Sequence, residues 1–151
     1  MTTKENLMRL AIDEAKQSLT HGDLPIGALV VMDGEIISAR HNEREKLNDP
    51  TAHAEILAIR EAAEKLNTSR LDGAILVSTL EPCPMCAGAA LLARMQKVIF
   101  GADDPKNGSL GSLYNLGSDP RINHEFCVVG RVLHHECGSL LQEFFEDRRD
   151  R

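Results

Sequence analysis

The chain has 151 residues, of which 42% are hydrophobic and 26% charged, with four cysteines and a formal net charge of −6. This size and composition allow one ordinary hydrophobic core and exclude a disulfide-stapled scaffold. The negative charge argues against a broad basic surface for nucleic acid, although three arginines crowd the C-terminus: Arg148, Arg149 and Arg151.

Nothing in the sequence has the pattern of a targeting or membrane segment. Charged residues interrupt the first twenty positions, which excludes the unbroken apolar region of a signal peptide. No apolar run approaches the roughly eighteen residues of a membrane span. We therefore expect a cytoplasmic protein with reduced cysteines and no membrane partner.

The N-terminal third predicts a helix followed by a β-hairpin. Thr2 and Glu5 have the spacing of a capping box, and apolar residues then recur at helical period. Apolar runs at 26–32 and 35–39 flank Asp33–Gly34. Asp-Gly between two such runs is a strong signal for a hairpin turn.

The remainder of the chain predicts alternating helices and strands. We expect helices at 53–66, 84–94, 113–116 and from 137 onward, and strands at 74–79, 97–101 and 126–132. After a hairpin, this alternation predicts a mixed, five-stranded sheet with helices on both faces, an α/β/α sandwich of three layers. No repeat, linker or low-complexity stretch divides the chain, so residues 1–151 are predicted to form a single domain.

Cys83 and Cys86 form a Cys-x-x-Cys pair within the stretch TLEPCPMCAG. Such a pair serves as a redox dithiol, as half of a structural zinc site, or in a catalytic zinc site with three protein ligands. Cys127 and Cys137 do not make a second pair of this kind, and each is interpreted as a buried thiol. His134, before Cys137, is interpreted as part of a solvated turn ahead of the last helix.

The histidine that best complements the cysteine pair is His53, because Glu55 follows it at the opening of a predicted helix. Residues i and i+2 do not share a helix face, so His53 is expected at or just before the first turn. Positions i and i+3 do share a face, and Pro84 suits a first helical position, so both thiolates can point from one helix start.

The combined pattern, H-x-E followed some thirty residues later by P-C-x-x-C, is the signature of zinc-dependent nucleobase deaminases. It favours a catalytic zinc ion held by His53, Cys83 and Cys86. Glu55 is then the group that moves protons between water, the base and the departing ammonia.

The chain resembles the cytidine-deaminase-like superfamily and, within it, the bacterial tRNA-specific adenosine deaminases. The resemblance runs nearly end to end, through LPIGALVV, DPTAHAEILAI, TLEPCPMCAGA, VIFGADDPKNGSLGSL and LLQEFFEDRR. The zinc motifs are common to the superfamily, whereas the segments after Gly101 favour the tRNA-acting group. The family often has a basic residue straight after its Asn-His pair, where this chain has Glu125.

The resemblance implies a cytidine-deaminase-like fold, one zinc ion per chain and a homodimer. The implied reaction is hydrolysis of adenosine to inosine at the wobble position of a tRNA anticodon stem-loop. Asn42 is implied to hydrogen-bond the flipped base. Further substrate contacts are implied for Ala54, Asn123, His124, Phe144, Phe145, Arg148 and Arg149.

Other interpretations stay open. From the residues alone, Asn42 is equally a turn former, and Phe144 and Phe145 equally fit the apolar stripe of the last helix. A deaminase of the same fold could act on guanine, cytosine or free adenosine without RNA. A non-catalytic zinc-bearing subunit is the third possibility, but such a subunit typically lacks the carboxylate that Glu55 provides.

Overall fold

The computed structural model describes residues 3–149, except for the side chain of Arg149. The strands are β1 (Gly27–Met32), β2 (Glu35–His41), β3 (Ile75–Leu80), β4 (Lys97–Ala102) and β5 (Cys127–Val129). They form one sheet in the order β2-β1-β3-β4-β5. β1 is antiparallel to both of its neighbours, whereas β3, β4 and β5 run parallel. The prediction of a mixed five-stranded sheet is confirmed.

The turn between β1 and β2 is the predicted Asp-Gly hairpin. Asp33 and Gly34 have φ values of 52° and 78°. Both therefore lie in the left-handed region, which a two-residue turn of type I′ requires at its central positions.

Helices cover both faces of the sheet. They are α1 (Lys4–Lys16), a 3-10 helix (Gln17–His21), α2 (Ala54–Leu66), α3 (Pro84–Leu92) and α4 (His134–Arg149). Leu76 and its neighbour Val77 belong to different hydrophobic clusters, because successive side chains of a strand point to opposite faces. The first cluster includes residues of α2 and α3, and the second includes residues of α1 and α4. The predicted three-layer α/β/α sandwich is confirmed.

The start of α1 differs from the predicted capping box. Thr3 is the N-cap, and its hydroxyl oxygen accepts the backbone N–H of Asn6 at 3.1 Å. Thr2 lies outside the described residues. Among the helices of residues 3–149, none is long and apolar enough to cross a membrane.

Two segments in the C-terminal half also differ from prediction. Residues 113–116, expected to be helical, are irregular, and Asn115 pairs with Leu110 in an isolated bridge that closes a turn at 111–112. β5 ends at Val129, and Arg131 with φ 63° cannot continue an extended strand.

The last helix begins earlier than expected. α4 starts at His134, so His134 lies in its first turn and not in a solvated turn ahead of it. Cys137 belongs to the first part of α4 and is buried, as interpreted from the sequence. The same interpretation is wrong for Cys127, which is exposed.

Candidate metal centre and its cavity

His53 lies immediately before α2, as its N-cap, with extended backbone (φ −70°, ψ 151°). Glu55 is the second residue of the helix and is only 4% exposed. Because His53 precedes the first turn, its side chain does not follow the spacing of helical residues. The side chains of His53 and Glu55 therefore both reach the same cavity. This is the local arrangement that the sequence predicts.

The two cysteines approach His53 from the start of a second helix. Cys83 is the N-cap of α3 (φ −75°, ψ 172°), Pro84 is its first residue and Cys86 is buried in its first turn. The Sγ atoms of Cys83 and Cys86 lie 3.7 and 3.5 Å from His53 Nδ1. Two helix N-termini thus converge, and their positive dipole ends favour thiolates.

The separations fit a tetrahedral zinc ion. Zn–S bonds of about 2.3 Å and Zn–N bonds of about 2.0–2.1 Å place sulfur and nitrogen about 3.6 Å apart. One imidazole and two thiolates are also donors that zinc accepts and that Mg²⁺ and Ca²⁺ do not prefer. Within residues 3–149 the group contains these three ligands, so a bound ion keeps one position open, as catalytic zinc sites do.

The electrostatics of the cysteine pair prepare one thiolate for metal binding. A hydrogen bond from Cys86, together with nearby His53, lowers the pKa of Cys83 to about 4. The pKa of the Cys86 thiol is raised, because it donates to Cys83 and is buried. Cys83 is therefore held as the thiolate, the form that ligates metal ions.

Glu55 has the properties of a proton-transfer group. Burial raises the pKa of its carboxyl to about 6. Its Oε1 is buried and has no hydrogen-bond partner among the described residues. Buried polar oxygens are rarely left unpaired, so this atom is placed to bond a ligand or water that enters the site. A pKa near neutrality lets the group both take and release a proton.

The centre opens into a cavity of about 910 Å³, within the usual range for ligand sites. The cavity is lined by His53, Glu55 and Cys83 from the centre and by Asn42, Phe144, Phe145 and Arg148 from the set of predicted substrate contacts. Asp104 and Asn107 also line it, without having been predicted.

Asn42 forms the local turn that one of its two interpretations predicts. Its Oδ1 accepts the backbone N–H of Arg44 at 3.1 Å, which forms a local turn, and its Nδ2 donates to the Leu24 carbonyl at 3.2 Å. An amide has a second N–H and a second lone pair. Asn42 therefore keeps hydrogen-bonding capacity for a ligand in the cavity that it lines.

The end of α4 forms one wall of the cavity. The Arg148 guanidinium carbon lies 4.4 Å from the centre of the Phe144 ring, and the guanidinium donates to the Gly22 carbonyl. Phe144 contacts Phe145 edge-on, with ring centres 5.7 Å apart. Phe145 is 49% exposed, so it is not part of the packed core.

Comparison with known proteins identifies the family. Residues 1–102 match the family model of the cytidine and deoxycytidylate deaminase zinc-binding region. The chain belongs to this deaminase family. The tRNA-specific adenosine deaminase of Bacillus subtilis (strain 168) is 52% identical over 149 residues, which cover 99% of this chain and 92% of that protein. The tRNA-specific adenosine deaminase of Aquifex aeolicus (strain VF5) is 47% identical over 147 residues, 97% of each.

The fold of this deaminase agrees with the same assignment. A solved structure from a study of A-to-I editing by tRNA:A34 deaminases at the wobble position of transfer RNA superposes with a TM-score of 0.86. It is 42% identical in sequence and the match covers 89% of this chain and 98% of that one. The prediction of a cytidine-deaminase-like fold and of a zinc-binding deaminase is confirmed.

Three other predicted substrate contacts of the deaminase, Ala54, Asn123 and His124, lie outside the cavity lining. Ala54 is fully buried in the core. The Asn123 carbonyl accepts from Arg94 at 3.5 Å, and His124 Nε2 lies 2.9 Å from the Met95 carbonyl. The side chain of Arg149 lies outside the described part of the chain.

Glu81 is a site residue that sequence reasoning missed. It is 2% exposed, although it carries a carboxylate, and it stands two residues before Cys83. One oxygen accepts the backbone N–H of Asp104 at 3.0 Å, and the other accepts those of Leu110 and Ser112 at 2.9 and 3.0 Å. Glu81 therefore ties the cavity-lining loop after β4 to the turn that carries the metal ligands. The sequence offered one signal, a charged residue directly after a buried strand.

Proposed function

We propose that this deaminase converts adenosine to inosine at the wobble position of a tRNA anticodon. The observation that carries the proposal is the unpartnered Glu55 oxygen, buried beside three side chains spaced for zinc and open to a large cavity. The two relatives named above, at 52% and 47% identity, are tRNA-specific adenosine deaminases, which supports adenosine in tRNA as the substrate.

The proposed centre holds one zinc ion per chain on His53, Cys83 and Cys86. When bound, zinc with three protein ligands supplies Lewis acidity that brings the pKa of water toward neutrality. The ligands hold fixed positions because two of them are N-caps and the third lies in a first helical turn. A site built on helix starts keeps its geometry better than one built on free loops.

Glu55 moves the protons of the reaction. Its carboxylate accepts a proton from the attacking water and delivers it to the purine ring as the new C–O bond forms at C6. It then passes the second proton to the amino group, the C6–N bond breaks and ammonia leaves. The sum is adenosine plus water giving inosine plus ammonia, with no oxidant or reductant.

Asn42 and the end of α4 recognise the substrate. The free hydrogen-bonding capacity of Asn42 suits the edge of a base that has been turned out of the anticodon loop. Phe144 and Phe145 offer rings for the neighbouring bases, and Arg148 adds a positive charge at the cavity wall. Contacts by Ala54, Asn123, His124 and Arg149 remain predictions.

The cavity is not a basic patch, in keeping with the net charge of −6, because carboxylates such as Asp23, Glu45 and Asp104 line it together with Arg44 and Arg148. Exposed charges act over about one Debye length, ~8 Å at physiological salt, so distant carboxylates are largely screened from an anticodon loop in the cavity. The substrate is held by aromatic rings and one arginine, more than by a broad basic surface.

The proposed assembly is a single domain over residues 1–151 that forms a homodimer in the cytoplasm. Leu92, at the end of α3, is 84% exposed, and Leu113 and Tyr114 are more than half exposed. Exposed apolar side chains that form a patch mark surfaces that bind another protein chain. Sedimentation of the zinc-loaded protein tests this: a dimer supports the assembly and a monomer at all concentrations contradicts it.

The decisive experiment offers the zinc-loaded protein an unmodified anticodon stem-loop with a wobble adenosine, and in parallel guanine, cytosine and free adenosine. Inosine formed in the stem-loop, with little turnover of the small molecules, supports the proposal. Turnover of a free base or nucleoside without the stem-loop would replace it with the small-molecule deaminase.

A further inference from the structure

A second group of metal-ligating side chains borders the cavity, apart from the centre described above. His21, His41 and Glu43 each offer one ligand atom, and these atoms all lie within 4.8 Å of one another. His21 ends the 3-10 helix, His41 ends β2 and Glu43 follows shortly after. This His21–His41–Glu43 cluster shares no residue with the deaminase centre and plays no part in the reaction derived above.

His21 is held in the orientation of a metal ligand. Its Nδ1 lies 2.7 Å from Asp23 Oδ2, and Asp23 is itself fixed by the backbone N–H groups of Glu45 (2.7 Å) and Lys46 (3.0 Å). Metal-binding histidines usually donate their second ring nitrogen to such a carboxylate, which fixes the tautomer. The other nitrogen, Nε2, is buried and has no hydrogen-bond partner among the described residues.

His41 faces two carboxylates at distances that suit ligands better than hydrogen bonds. Its Nε2 lies 3.4 Å from Glu43 Oε1, and its Nδ1 lies 3.7 Å from Glu14 Oε2. Hydrogen bonds between nitrogen and oxygen span about 2.7–3.2 Å. Two ligands bound tetrahedrally at about 2.0–2.2 Å from zinc are about 3.3–3.6 Å apart. The Nδ1 atom is buried and has no hydrogen-bond partner among the described residues, since the Glu14 carboxylate lies beyond hydrogen-bonding distance.

The charged side chains around the cluster favour a bound cation, because carboxylates outnumber cationic groups. Three carboxylates meet here, from Glu14, Asp23 and Glu43, and two cations oppose them. Arg40 binds Glu43 Oε2 at 3.3 Å, which leaves Oε1 turned toward His41. Lys46 lies 3.9 Å from Oε1 and is half exposed, so it can swing into solvent when an ion binds.

We infer that His21, His41 and Glu43 form a second zinc site, with Asp23 as the carboxylate that orients His21. An imidazole pair with one carboxylate is a donor set that zinc uses readily. His21 lines the cavity, which gives a divalent ion a path to the cluster. Asn42 stands between two of the ligands, so an ion at this site would fix the backbone that carries a cavity-lining residue.

A zinc titration of the zinc-loaded protein tests the inference. With zinc chloride added to protein that already holds its first equivalent, we expect a second equivalent per chain, weaker than the first and accompanied by a rise in melting temperature. The double variant His21→Gln and His41→Gln should lose both the second equivalent and the zinc-dependent rise, while it keeps the first equivalent. The matched control replaces His134 and His135, both exposed on α4, and should behave as the wild type.

Two results would overturn the inference: no second equivalent up to millimolar zinc chloride, or a second equivalent that persists in the double variant. A measurement without any substitution covers the case in which the variant does not fold. Crystals soaked in zinc chloride should show an anomalous peak at bonding distance from His21 Nε2. A peak found only at His53, Cys83 and Cys86 would contradict the second site.

Discussion

The carboxylate of Glu81 accepts both the backbone N–H and the hydroxyl hydrogen of Ser112, thirty-one residues farther along the chain. Glu81 is buried, and its carboxylate also accepts the backbone N–H groups of Asp104 and Leu110. The loop after β4, residues 104–112, includes cavity-lining residues, so its conformation depends on the negative charge of Glu81.

Glu81→Gln should destabilise the protein by at least about 2 kcal/mol, because hydrogen bonds to a charged group contribute about 1.5–3 kcal/mol each and an amide N–H₂ would face backbone donors. Urea unfolding of the zinc-loaded protein measures the change. The control is Glu125→Gln on the exposed surface. A loss below about 0.5 kcal/mol, typical of surface substitutions, would show that the loop is ordered by something else.

The Glu81 contribution should also depend on pH in one direction. Burial raises the pKa of this carboxyl, but the hydrogen bonds from Ser112, Asp104 and Leu110 outweigh burial and hold the pKa below its ordinary value of 4.5. A depressed folded-state pKa gives stability that is present above pH 4.5 and lost as the pH falls through the folded-state value. The stability difference between wild type and Glu81→Gln should therefore shrink below pH 4.5. An unchanged difference at lower pH would contradict this assignment.

Single alanine substitutions at His53, Cys83 and Cys86 should each deplete zinc, since a catalytic site with two remaining protein ligands binds zinc far more weakly. Elemental analysis after gel filtration gives the zinc content per chain. Cys127→Ala, at an exposed cysteine, is the matched control and should keep the first equivalent. Full zinc content in Cys83→Ala would show that the ion is held elsewhere.

Glu55→Gln should bind zinc and fold normally but lose turnover. General acid–base catalysis is typically worth about 10²–10⁴-fold, and here one group serves two proton transfers, so the upper end is expected. The amide keeps the shape of the side chain, and the readout is kcat on the anticodon stem-loop with zinc content measured in the same sample. Activity within about tenfold of wild type would remove Glu55 from the mechanism.

Arg148→Glu should raise KM for the anticodon stem-loop more than it lowers kcat, because the guanidinium lies at the cavity wall and not among the metal ligands. The effect should diminish with added salt, as phosphate contacts do. Arg9→Glu makes the same charge change on the exposed surface of α1, outside the cavity lining, and should leave KM nearly unchanged. Equal effects of the two substitutions would mean that only overall charge matters.

Each half of the candidate zinc site could be predicted from the sequence because its geometry is local. His53 and Cys83 are N-caps, and Cys86 follows Cys83 by less than one helical turn, so spacing orients each half by itself. The meeting of the two halves is not local, and the combined signature predicts it where spacing does not. The hairpin turn at Asp33–Gly34 is local in the same sense, since its two residues set their own backbone conformation.

The parts that could not be predicted depend on residues distant in sequence. Glu81 meets its donors 23 to 31 residues away, and His41 meets Glu14 only because α1 packs on the sheet near the end of β2. Thr3 caps α1 by accepting the backbone N–H of Asn6, and the sequence alone does not choose between two adjacent threonines for that role.

The antiparallel pairing of β1 with β3 has a consequence for the order in which the molecule assembles. Ala28 pairs with Ser78, fifty residues away, and His53 lies in the excursion between them while Cys83 follows β3. Pairing of β1 with β3 closes a loop of about fifty residues, which is a slow step for strands far apart in sequence. Before it closes, the His53 imidazole and the cysteine thiolates are not held close together. Capture of the first zinc ion should thus come late in folding, after the sheet has joined. Once captured, the ion opposes reopening of the loop, so chelators should accelerate unfolding as well as stop turnover.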